Sequence, residues 1–163
     1  MPSKKSEAMY RRGEDPALGV DQQWFQYICA GHVDAAEFLG MFFTVCHLWD
    51  DLIDKDVQRT DDHINHAFWI AFIDIPRNKY YRTFQTEIQP LMAVSMQEWF
   101  AANQLEAGNR RDIAYTLRCS IVSLIHQAAE ICGGYEWALK VGEEIRLKTQ
   151  TQTLDEYSAE LDA

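Results

Sequence analysis

Four aspartates fall within seven residues of this chain. They are Asp50, Asp51, Asp54 and Asp56, and they close the run His47-Leu48-Trp49-Asp50-Asp51-Leu52-Ile53-Asp54-Lys55-Asp56. Carboxylates are hard oxygen donors of the type Mg²⁺ prefers. An ion held that way commonly bridges to a phosphate or diphosphate. On a helix, Asp50 and Asp54 are i,i+4 neighbours, and so are His47 and Asp51. Carboxylates so placed repel one another, and a shared cation would relieve them. They also gather where an apolar segment runs out, at the negative end of a helix macrodipole. A bound cation, a basic partner or water can offset that cost. Asp50, Asp51 and Asp54 are therefore the candidate metal ligands, with Mg²⁺ as the candidate cofactor. No catalytic residue is identified.

The element that must position them is a helix. Asp34 reads as its N-cap, with Glu37 three residues later in a capping-box pattern. Phe38, Met41, Phe42, Val45, Leu48, Trp49 and Leu52 then recur at helical spacing, which predicts a helix to about Asp54. At about 100° per residue, Phe38, Phe42, Val45, Trp49 and Leu52 form one stripe. His47, Asp50, Asp51 and Asp54 fall opposite, where charged residues are expected in any amphipathic helix. Lys55 and Arg59 are near enough in sequence to offset some repulsion. A solvated acidic helix end, a cation site and a contact with a basic protein partner are the three readings.

The remaining pattern is helical throughout. Asp21 to Cys29 predicts a short helix ended by Gly31. Thr60 caps another, with Asp61 and Asp62 in its first turn, then Ala67, Phe68, Ile70, Ala71 and Ile73, and Pro76 as its stop. Asn78 to Gln85 predicts a short helix, and Pro90 opens the next one, which ends at Gly108. Asn109 reads as the cap of a long helix through Ile113, Leu117, Ile121, Leu124, Ile125, Ala128 and Ile131, closed by Gly133-Gly134. Tyr135 to Lys148 is another helix, and Thr153 with Glu156 opens a last one. The fold class expected is all-α, a single-domain bundle of about six to eight helices. Residues 1–19 read as a polar N-terminal arm and 20–163 as the helical domain.

Composition narrows the function. The net charge of −10 argues against nucleic-acid binding, which needs Lys and Arg against phosphates. It favours a basic partner or divalent cations. Lys4, Lys5, Arg11 and Arg12 concentrate positive charge in the arm. Five tryptophans either fill the core or anchor an interface. Cys29, Cys46, Cys119 and Cys132 form no C-x-x-C pair and sit among apolar residues, as in a reducing compartment. No signal peptide opens the chain and no apolar run reaches membrane-spanning length. The expected location is the cytoplasm, or a virion or assembly intermediate made there. His63 with His66, and His126 with Glu130, are weaker pairs at helical spacing. His126 is expected to make one hydrogen bond at a core edge.

Asp50-Asp51-Leu52-Ile53-Asp54 is a literal D-D-x-x-D and resembles the aspartate-rich motif of class I isoprenoid synthases. The resemblance implies an all-α enzyme that holds an allylic diphosphate through a Mg²⁺ cluster, with Asp50 and Asp54 as the main ligands. That family carries a second metal motif. Here Asp61-Asp62-His63-Ile64-Asn65 lies close to the first, and Leu154-Asp155-Glu156-Tyr157-Ser158-Ala159-Glu160-Leu161-Asp162 partly matches the N-D-x-x-S-x-x-x-E form but puts Leu154 in a ligand's place. Asp51-x-x-Asp54 also resembles one acidic pair of the all-α nucleoside triphosphate pyrophosphohydrolases, with Glu87, Glu143 and Glu144 as candidates to face it. A wider set resembles small helical proteins encoded by tailed phages and prophages. It comprises His47 to Asp54, Ala67-Phe68-Trp69 and Ile75-Pro76-Arg77-Asn78. The expectation is a non-catalytic helical interaction or assembly protein, phage-related, with a protein partner or a second copy and without nucleic acid or membrane. The alternative is a Mg²⁺-dependent enzyme acting on a diphosphate or nucleotide through Asp50, Asp51 and Asp54.

Overall fold

The protein is an all-α helical bundle, as its periodicities predict. The computed structural model describes residues 22–55 and 57–162, and no strand occurs among them. The basic arm and Asp56 lie outside the described residues. The chain divides into two compact units that meet in sequence at Gln85 and Thr86.

In the first unit, α1 (Gln22–Ile28) is followed by Ala30 and Gly31 with φ of 51° and 87°. Two left-handed residues in succession stop the helix, where Gly31 was the expected stop. α2 (Val33–Asp54) starts two residues earlier than the sequence suggests. Its N-cap is His32, which makes no side-chain cap bond. Asp34 is instead in the first turn, where the macrodipole favours its charge. Phe38, Leu39, Met41, Phe42, Phe43 and Leu48 are buried along α2. Phe25 of α1 packs on Phe43 with ring centroids 5.8 Å apart. Each fully buried side chain of this size contributes about 1.5–3 kcal/mol.

α3 (Asp61–Trp69) opens on Thr60, whose Oγ1 accepts a hydrogen bond from the His63 N–H at 3.3 Å, as expected of its cap. The chain then continues through a π turn, Ile70–Asp74, into a last turn, Ile75–Arg77. Pro76 has no N–H to offer and its ring crowds the preceding turn. The backbone ahead of it opens to the wider spacing, and the Ile75 N–H donates to the Ile70 carbonyl. Pro76 thus sits inside the last turn, and the helix ends at Asn78, which is extended. Buried Asn78 caps α4 (Lys79–Ala107). Its Oδ1 accepts from the Tyr81 N–H at 2.9 Å, and its Nδ2 donates to the Asp34 carbonyl at 2.9 Å. One side chain therefore joins the starts of α2 and α4. The two helices predicted from Asn78 to Gly108 run end to end, with Phe84 out of helical geometry at φ −116° and ψ 23°.

The second unit holds the rest of α4 with α5 (Arg111–Leu117), α6 (Ser123–Gly133), α7 (Tyr135–Thr149) and α8 (Leu154–Leu161). The structure corrects the single long helix expected from Asn109. Asn109 has φ 68° and belongs to the left-handed exit of α4, so Arg110 takes the cap position. The helix also breaks after Leu117 and passes through a 3-10 turn, Ser120–Val122. Side chains receive the carbonyls that the break releases. Ser95 Oγ donates to the Ser120 carbonyl at 3.3 Å, and Ser120 Oγ returns a bond to the Ser95 carbonyl at 3.0 Å. Arg146 Nη1 donates to the Cys119 carbonyl at 3.3 Å. Buried carbonyls need such partners. Gly133-Gly134 joins α6 to α7: Gly134 has φ 81°, and a Cβ on Gly133 would come within 2.2 Å of the Trp137 ring. The Thr153–Glu156 capping box opens α8 as predicted.

Candidate functional site

The acidic run sits at the end of α2 and splits into three environments. Lys55 closes the helix in the left-handed conformation at φ 60°, and its N–H donates to the Asp51 carbonyl at 2.9 Å. The turn that follows brings Arg59 back. Its Nε donates to Asp51 Oδ2 at 2.5 Å, and its Nη2 forms an ion pair with the same oxygen. Both side chains are largely buried, Arg59 14% and Asp51 13% exposed. The guanidinium offsets the carboxylate at the negative end of the helix, where Asp51 would otherwise be unfavourable. Asp50 is half-buried beside Cys46. Burial first, and the Asp50 charge second, push the Cys46 thiol well above its usual range. A thiol so shifted does not ionise to a nucleophile near neutral pH. Asp54 is exposed. Among the described residues, no group of three or more His, Cys, Asp or Glu is placed to hold a metal ion. The four cysteines are free thiols.

Beside this clamp, α3 turns His63 and His66 inward. They line a recess with Thr44, His47, Leu48, Arg59 and Ala67. Its volume is about 10 Å³, room for a single water. Three imidazoles and a guanidinium there can orient such a water, but the space takes no organic substrate.

The opposite face of α3 carries a different chemistry. Ala67 and Ile70 are buried, which turns Asp61, Asn65, Phe68, Trp69 and Phe72 outward. Phe68 is 54% exposed, Trp69 55% and Phe72 68%. The rings of Phe68 and Phe72 stack with centroids 5.8 Å apart at 29°. A cluster of exposed aromatics is the kind of surface that marks contact sites. In sequence, Phe68 falls with Ala67 and Ile70 into one helical pattern, and Phe72 carries no mark of its own. The available signal was angular: Asp61, Asn65, Phe68 and Phe72 share one side at helical spacing.

A second concavity in this unit, about 410 Å³, is an open cleft between the starts of α1 and α2 and the turn before α4. Asp34 and Glu37 lie on one wall, and Arg77 and Lys79 on the other. In the second unit, His126 departs from its expected hydrogen bond: its Nε2 is buried without a partner. Burial and then the nearby Arg146 charge hold the His126 imidazole below its ordinary pKa.

No protein-family model, no curated protein and no solved structure matches the chain. Among the described residues no helix is long and apolar enough to cross a membrane.

Proposed function

We propose that the protein is a non-catalytic helical interaction or assembly protein that makes contact through the outer face of α3 and the π turn that continues it. The observation that carries this reading is the exposed trio Phe68, Trp69 and Phe72, two of whose rings stack on each other rather than on a core. Burying such rings against a partner is strongly favourable. The Asp51–Arg59 clamp supports the same reading. It gives one of the three candidate ligands, Asp51, a structural task at the turn that leads into α3. The phage-related character rests on the resemblance of His47 to Asp54, Ala67 to Trp69 and Ile75 to Asn78. A cytoplasmic setting, or a particle assembled there, fits the four free thiols.

The test is a comparison of wild type with Phe68→Ala/Trp69→Ala/Phe72→Ala. Both are to be purified from the same host and examined by melting temperature, sedimentation and copurifying protein. The expected result is an unchanged melting temperature, with loss of whatever association the wild type shows. Identical sedimentation and identical copurification for the two proteins would sink the proposal.

A further inference from the structure

We infer that the aromatic face of α3 takes a short, basic, amphipathic segment of another protein rather than a second copy of this chain. This rests on the interaction reading above and names the partner's chemistry. The first argument is charge. Asp61 and Asp62, both exposed, occupy the first turn of the helix whose later turns carry Phe68, Trp69 and Phe72. Asn65 lies between the acidic and aromatic ends on the same side, and Arg77 is exposed only at the far end, beyond the π turn. The face is therefore an apolar patch with an acidic entrance, on a chain of net charge −10. Such a field attracts Lys- or Arg-bearing partners and repels another copy of itself at long range.

The second argument is area. The exposed parts of the three rings come to less than two whole aromatic side chains, about 350 Å². A stable protein–protein interface needs about 800 Å² on each partner. The patch is thus too small to hold a dimer alone. It matches the apolar stripe of one short helix, read at i, i+3, i+4 and i+7. Basic residues at one end of that helix would lie over Asp61 and Asp62 while its apolar residues cover the rings.

The test uses fluorescence anisotropy with two labelled peptides, both amphipathic helices with a leucine face. One has lysine flanks and the other glutamate flanks. The lysine peptide is expected to bind the full-length protein, with affinity falling at least tenfold between about 50 and about 300 mM salt. Asp61→Asn/Asp62→Asn should weaken it about tenfold, and Phe68→Ala/Phe72→Ala should abolish binding. Phe68→Ala/Phe72→Ala lies on the exposed face and should melt where wild type does, and Asp61→Asn/Asp62→Asn should melt only slightly lower, because it removes two acids from the first turn of α3. Equal binding of the two peptides would overturn the basic-partner inference and leave the contact face standing. So would no peptide binding together with a dimer that Phe68→Ala/Phe72→Ala dissociates. No binding of either peptide by a wild type that is monomeric and copurifies with nothing would overturn both this inference and the interaction reading.

Discussion

Asp51 and Glu106 are each held by an arginine, yet they do different work. Asp51 is gripped by Arg59, eight residues on, across the turn between α2 and α3. Glu106, near the end of α4, accepts from Arg118 Nη1 at 2.7 Å and from the Tyr157 hydroxyl. Those partners lie 12 and 51 residues away. Arg118 also sits over the Tyr157 ring, 5.6 Å from its centroid. Around this network pack Ala102, Ala114 and Tyr157, with Leu105, Tyr115 and Leu117. The first carboxylate closes a local turn. The second fastens the last helix, α8, to two others. A carboxylate's chemical promise in sequence therefore says little about its structural weight: the aspartate in the conspicuous motif makes the local bond, and the inconspicuous glutamate makes the long-range one.

The largest effect should follow loss of the long-range partner. Glu106→Ala leaves Arg118 and the Tyr157 hydroxyl without their acceptor in a mostly buried place. Breaking such a group costs about 3 kcal/mol. Chemical denaturation should show that loss, and α8 should gain amide exchange ahead of the rest. A change under about 1 kcal/mol would erase the distinction between the two carboxylates. Arg59→Ala comes next, at about 1–2 kcal/mol, because it strands Asp51 at the negative end of α2. Asp51→Asn/Arg59→Ala should recover part of that loss, since no stranded charge remains. A double variant as unstable as the sum of the singles would show that the clamp is not a coupled pair.

Local chemistry explains which features were legible in sequence. The end of α2 near Asp54, the Thr60 cap and the Thr153–Glu156 box each depend on residues within a few positions of one another. The misread features depend on distant partners. Arg146 and Ser95 receive the carbonyls of Cys119 and Ser120, so an unbroken apolar period from Ile113 to Ile131 conceals a broken helix. Asn78 reaches back 44 residues to Asp34, and the α2 start shifts away from the capping box that Asp34 and Glu37 suggested. The candidate site shows the same division. The sequence drew attention to Asp50, Asp51 and Asp54, and noted Arg59 as a nearby charge. It could not show that Asp51 alone would be enclosed by Arg59, or that the two histidines of α3 would turn in and its aromatics out.

Titration sharpens the contrast at smaller cost. Burial first, and then the bond to Glu106, raise the Tyr157 hydroxyl above its ordinary pKa. The unfolded tyrosine ionises from about pH 10 while the folded one keeps its proton. Its contribution is therefore complete below about pH 10 and is lost as pH rises toward the folded value. Cys46, raised by burial and then by Asp50, behaves in the same sense from about pH 9. Cys119 is raised by burial too. Tyr157→Phe should cost about 1 kcal/mol at neutral pH and flatten the alkaline limb above about pH 10. Cys46→Ala should flatten its earlier part. An unchanged alkaline limb in Tyr157→Phe would mean that the hydroxyl is not held by Glu106 in solution.

The smallest expected effect concerns the motif itself. With Asp51 committed to Arg59, Asp50 and Asp54 are i,i+4 carboxylates at the negative end of α2, a placement that the helix macrodipole and their like charge both disfavour. Asp50→Asn/Asp54→Asn should melt close to wild type, since the interactions lost and the repulsion relieved offset each other, and millimolar Mg²⁺ should move neither protein. A ligand that binds only the folded state raises its stability in proportion to the logarithm of its concentration. A wild type stabilised progressively by Mg²⁺, with the double variant indifferent, would therefore show that the two carboxylates hold a cation. It would also place Asp51 and Arg59 as the structural neighbours of a metal site rather than as its replacement. The Glu106 network has no such alternative use, because its carboxylate is enclosed by two donors from distant helices. Mg²⁺ response is thus the one measurement on which the two regions can differ in kind and not only in magnitude.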